Sequence, residues 1–119
     1  VMILKSDGTN TSKAITEKSY FTITSSSINA YTAVAGDQLL IDTTQTTVTI
    51  TLPAAPAVGD EVVFIDARGT FASNNLTIER NGKPINSGTN NLALATNGQA
   101  ITLVFIDSTR GWAYKTNTA

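Results

Sequence analysis

Regular alternation of apolar and polar positions begins at Tyr20, where Phe21 and Ile23 fall on one face and Tyr20, Thr22 and Thr24 on the other. That spacing predicts a half-buried strand. After Ser25-Ser26-Ser27 a second run covers residues 28–35, closed by Gly36-Asp37, and a third covers residues 38–42. Residues 45–52 give the clearest pattern, with Val48, Ile50 and Leu52 on one face and Thr47, Thr49 and Thr51 on the other. Pro53 ends that strand's hydrogen bonding, and residues 53–60 read as an extended connector with a turn at its end, because each Pro fixes φ and disfavours helix before it. Residues 61–66 are the next strand, and residues 110–115 the last, with Trp112 and Tyr114 on one side. No window of ten or more residues keeps a 3.6-residue apolar repeat, so the chain predicts an all-β fold of about eight to ten short strands, a compact antiparallel β-sandwich or barrel. Residues 1–19, with turn formers throughout 6–12, read as an N-terminal arm or loosely attached strand, and residues 20–119 as a single all-β domain.

Two internal echoes refine this expectation. The frame Asn-Asn-Leu, four residues, Asn-Gly, two residues, Ile occurs at 74–85 and again at 90–101. Asn-Gly between alternating runs signals a type I′ hairpin, since both central residues need positive φ. Two-residue loops at Asn81-Gly82 and Asn97-Gly98 would set Ile78 opposite Ile85, Leu94 opposite Ile101 and Leu92 opposite Leu103. Pro84 then marks the strand after the first turn as an edge. The second echo is Val63-Phe64-Ile65-Asp66, repeated as Val104-Phe105-Ile106-Asp107, each followed within four residues by Arg-Gly. No single period joins these copies, so a solenoid or propeller is not indicated.

Composition narrows the chemistry. Charged residues are 14% of the 119, against about 25% in ordinary globular proteins, and 20 positions are Thr. Thr favours strand over helix, which agrees with the pattern. His and Cys are absent, which removes disulfides, imidazole or thiolate metal sites, His-based triads and cysteine nucleophiles. A net charge of −1 with no basic run leaves no footprint for nucleic acid, and the apolar runs are too short for membrane insertion by a helix.

The carboxylates Asp60, Glu61, Asp66 and Asp107 are the remaining acid/base groups, and a glycosidase pair would need two of them facing one substrate. Asp60 follows Gly at a turn, and Asp66 and Asp107 end strands just before Gly, where Asp serves local turn hydrogen bonds. We therefore read them as turn residues and expect no catalytic residue, metal or cofactor. The Thr47, Thr49, Thr51 stripe reads as a solvated or subunit-facing surface. Trp112 and Tyr114 are candidates for an interface or a sugar-stacking platform, and equally for core packing. Asn10-Thr11-Ser12 and Asn75-Leu76-Thr77 match the glycosylation sequon with no secretory signal beside them.

One longer string carries a resemblance: Gly36-Asp37 with Leu40-Ile41-Asp42, then Val48-Thr49-Ile50-Thr51-Leu52-Pro53, Gly59-Asp60, Ile65-Asp66, Gly69-Thr70-Phe71, Asn75-Leu76-Thr77-Ile78, Arg80-Asn81-Gly82 and Gly111-Trp112. Over about residues 36–116 it resembles modules of bacteriophage virion structural proteins, particularly tail fibres, head fibres and decoration proteins of marine and cyanobacterial phages. The resemblance implies a non-enzymatic, β-rich module in the virion, commonly a homotrimer, whose partners are its own copies, other virion proteins and a host surface glycan. Capsid decoration through the N-terminal arm is the second reading, and a carbohydrate-binding module the third.

Overall fold

The computed structural model describes residues 20–24 and 31–118, so the N-terminal arm expected at 1–19 lies outside the described residues. Nine strands are present, with no helix among the described residues: β1 (Tyr20–Thr24), β2 (Tyr31–Thr32), β3 (Gln38–Asp42), β4 (Val48–Thr51), β5 (Glu61–Asp66), β6 (Leu76–Glu79), β7 (Leu92–Leu94), β8 (Ala100–Asp107) and β9 (Gly111–Thr118). They form a five-stranded sheet, β1-β3-β5-β8-β9, and a four-stranded sheet, β2-β4-β6-β7. Among the described residues neither sheet closes into a barrel.

The expectation of a wholly antiparallel fold is corrected. Through β6 the chain alternates between the two sheets, so each pair β1–β2, β3–β4 and β5–β6 makes one coil, and successive coils stack with their strands parallel. Only β7, β8 and β9 run antiparallel to their neighbours. The coils differ in length, which hides them from a search for a period. Tyr20 pairs with Gln38 and Tyr31 with Ile50, 18 and 19 positions on, whereas Gln38 pairs with Val63 and Val48 with Leu76, 25 and 28 positions on.

Inward residues from both sheets meet in one core. Leu39, Ile41, Val62, Phe64, Ile101 and Leu103 come from the larger sheet and Val48, Ile50, Leu76, Ile78 and Leu94 from the smaller. The alternation read along residues 48–52 thus holds, with Val48, Ile50 and Leu52 fully buried. Two corners that carry the chain from the smaller sheet to the larger repeat one design. In 34–37 and 57–60 the Asp carboxylate accepts the N–H three residues back, at 2.9 Å from Val34 and 2.8 Å from Ala57. The Asp N–H closes the same turn onto Val34 or Ala57 carbonyl oxygen, and Gly36 and Gly59 supply φ of 90° and 91°.

The two Asn-Gly sites are turns, but neither joins paired strands, and the hairpin registers predicted for them are corrected. Asn81 and Gly82 have φ of 52° and 88°, and Lys83 N–H bonds to the Arg80 carbonyl, yet β6 pairs with β7, setting Ile78 opposite Leu92. Residues after Pro84 leave the sheet: Ile85 makes bridges only to Gly88 and Trp112. The reciprocal two-residue loop is instead Asn86-Ser87, both at positive φ, with Ile85 and Gly88 exchanging hydrogen bonds. At Asn97-Gly98 the chain passes from β7 in one sheet to β8 in the other, so Leu94 faces Leu76 and Ile101 faces Phe64.

Candidate functional site

The outward faces of the two sheets are chemically unlike. On the four-stranded sheet the registers align Thr32 with Thr51 and Glu79, and Thr49 with Thr77 and Ala93. Thr49 and Thr51 therefore belong to a hydroxyl-bearing face shared by three strands, with Thr51 Oγ1 3.5 Å from Glu79 Oε1. Thr47 is exposed just before β4. Reading the sequence found the stripe on one strand; its extension by Thr32 and Thr77 comes from parallel pairing over long separations.

On the five-stranded sheet the outward rows run Thr22, Leu40, Ile65, Ala100, Thr118 and Tyr20, Gln38, Val63, Thr102, Thr116, with Glu61, Val104 and Ala113 beside them. Leu40, Val63, Ile65, Val104 and Ala113 are half-buried, while Tyr20 and Ile106 are 54% and 42% exposed. Its charged fringe includes Lys115 Nζ on Glu61 Oε2 at 3.0 Å and Arg68 Nε near Asp42 Oδ2 at 3.5 Å. Gln38 is buried within this face, and its Nε2 donor has no partner among the described residues. An aliphatic outward face on a small domain is the type of surface that association covers.

Of the alternatives open for Trp112, interface, sugar-stacking platform or core packing, the structure shows core packing. It has no exposed surface and packs edge-on against Phe105 with ring centroids 5.5 Å apart, so it offers no stacking face to a sugar. Its backbone N–H donates to the Pro84 carbonyl oxygen at 2.9 Å, tying loop 83–88 to β9, while its indole Nε1 is buried with no partner among the described residues. Tyr114, 38% exposed, is the aromatic of β9 that reaches the surface.

The carboxylates singled out above are all engaged. Asp66, buried at the end of β5, accepts N–H bonds from Gly69 and Thr70 on Oδ1 and from Phe71 and Gly98 on Oδ2, at 2.9–3.1 Å, with Arg68 N–H at 3.4 Å. Burial alone would raise its pKa, but these donors outweigh it and hold the carboxyl below the usual Asp value. Asp107 accepts from the Thr109 and Arg110 N–H groups in an exposed copy of the same turn, Asp60 from Ala57, and Glu61 pairs with Lys115. Asp42 is likewise lowered, first by the Thr44 hydroxyl and then by the Thr44 N–H. Tyr31 donates to Asp37 Oδ2 at 2.8 Å; burial, then that bond, push its pKa up to about 12. No group of three or more Asp or Glu able to hold a metal occurs among the described residues.

No protein-family model and no curated protein matches the chain.

Proposed function

We propose that the protein is a non-enzymatic structural module of a bacteriophage virion, of the homotrimeric fibre type, which works by assembly with its own copies and other virion proteins or by attachment to a host surface. The observation that supports this reading best is the outward face of the five-stranded sheet. Leu40, Val63, Ile65 and Val104 lie together there with charge confined to the fringe. Association of identical chains removes such a face from water, and a 12.5 kDa chain gains from that burial because a small domain leaves much of its surface exposed. The two facing sheets act in this reading as a rigid sandwich that carries surface shape, and the turn-bound aspartates serve the scaffold. Shape and hydroxyl groups, on the Thr49–Thr77 face above all, then make the contacts with host glycan or neighbouring virion protein.

Solution mass tests the reading. The expected result is a trimer that Val63→Lys converts to a folded monomer, with an unchanged far-UV circular dichroism spectrum. A natural-sequence chain that remains monomeric at high concentration overturns the fibre reading.

A further inference from the structure

Three exposed turns place an Asn before a small residue: Asn81-Gly82, Asn86-Ser87 and Asn97-Gly98. In such a pair the backbone nitrogen of the second residue can attack the side-chain amide carbon of the first and close a five-membered succinimide. Glycine hinders the approach least, because it has no Cβ. The nitrogen must give up its proton and turn toward Cγ, so a hydrogen bond made by its N–H opposes the reaction.

The fold treats the three nitrogens differently. Gly98 N–H donates to Asp66 Oδ2 at 2.9 Å, a bond to a charged acceptor whose negative charge also opposes loss of the proton. Ser87 N–H donates to the Arg110 carbonyl oxygen at 2.8 Å. Gly82 N–H has no acceptor among the described residues and the Asn81 carbonyl has no donor, so no hydrogen bond holds the peptide unit between them.

The two Asn-Gly sites are otherwise matched. Asn81 must release its Nδ2 bond to the Leu52 carbonyl at 2.9 Å, and its turn is closed by Lys83 N–H on the Arg80 carbonyl at 3.2 Å. Asn97 must release the Ala72 N–H from Oδ1 at 2.8 Å, and its turn is closed by Gln99 N–H on the Thr96 carbonyl at 3.1 Å. What remains is the Gly98–Asp66 bond, together with the left-handed φ of 52° at Asn81, which is costly for a residue with a Cβ and so does not oppose rotation out of the turn.

We propose that Asn81 is a self-modification site, converted to aspartate and isoaspartate by its own neighbour while Asn86 and Asn97 are protected by the fold. The Gly82 nitrogen passes its proton to solvent and bonds to Asn81 Cγ. The Cγ–Nδ2 bond then breaks, and Nδ2 takes up a proton and leaves as ammonia. Water opens the succinimide at one of its two carbonyl carbons, so the net change is amide plus water to acid plus ammonia. Either product replaces the amide donor with a carboxylate, and the turn that leads into Pro84 loses its bond to Leu52.

Incubation of the full chain in mildly alkaline buffer, followed by digestion and tandem mass spectrometry, tests the proposal. In the folded chain Asn81 is expected to convert at least about tenfold faster than Asn97 or Asn86. In urea, where no turn is held, Asn81 and Asn97 should convert at similar rates. Equal rates at the two sites in the folded chain, or an Asn81 that stays intact while the denatured chain reacts, overturns the proposal. Asn81→Asp reports the effect of the product directly: the Lys83 amide should exchange with solvent about tenfold faster than in the natural sequence. Unchanged exchange there overturns the claim that the modification loosens the turn.

Discussion

The parallel coils β1–β6 and the antiparallel cap β7–β9 are held by different means. In the coils, restraint is repeated: Gly36-Asp37 and Gly59-Asp60 build the same corner twice, and core residues arrive in register one coil after another. In the cap it is concentrated, because Trp112 lies between Phe105 and loop 83–88, and Gly111 sits where a Cβ would come 1.9 Å from the Pro84 oxygen. A repeated device spreads the damage of one substitution over local geometry; a concentrated one does not. Asp66 joins the two regions, since it ends a coil strand and holds the Gly98 N–H at the entry to β8.

The comparison breaks most sharply at Trp112. Trp112→Ala empties a fully buried site and should cost about 4 kcal/mol of unfolding free energy, measured from denaturant midpoints. Gly111→Ala should cost about 3 kcal/mol, because it combines a φ of 74° with collision against backbone. Gly59→Ala, at a φ of 91° with no atom within 4 Å of the added carbon, should cost only about 1 kcal/mol. Equal losses at the two glycines would remove the distinction between cap and coil.

Asp66→Ala leaves several N–H groups without their acceptor and should cost about 2–3 kcal/mol, whereas Asp107→Ala, whose donors reach water, should cost about 1 kcal/mol or less. The folded Asp66 has a depressed pKa, so its contribution is complete above the ordinary Asp value of about 3.9 and is lost as pH falls through the folded value. Unfolding midpoints measured between neutral pH and the acid range should decline less steeply for Asp66→Asn than for the natural sequence. The smallest effect belongs to the outward Thr face. Thr49→Val should change stability by no more than about 0.5 kcal/mol, since Thr49 faces away from the core and both residues suit a strand.

Much of the local structure was legible in the sequence. Alternation identified Val48, Ile50 and Leu52 as core, and Asp before Gly marked carboxylates that bind turn N–H groups. Pairing was not legible, because parallel partners stand 18 to 28 positions apart and no local turn encodes them. The Asn-Gly signals show why. Asn81-Gly82 does form its turn, but Pro84 has no N–H to continue a ladder, and its carbonyl is taken by Trp112. Asn97 and Gly98 are engaged by the loop after β5, Oδ1 accepting from Ala72 and the Gly98 N–H bonding to Asp66. Their turn is therefore anchored across the molecule and sends β8 to the other sheet. Trp112 was readable as aromatic strand material, with core and surface both left open, because the partner that its ring packs on, Phe105, is set by the β8–β9 register and by no local spacing.

The unequal coils also bear on how such a chain can change over generations. Neighbouring strands keep their registers whether 18 or 28 residues separate them, so alignment resides in the sheets while length resides in the connections. Doubling a flexible connection costs only about 0.6 kcal/mol in closure entropy. Segments such as the stretch around Val58, which is 77% exposed, are thus places where insertions can diversify the outer surface while the inherited core stays the same.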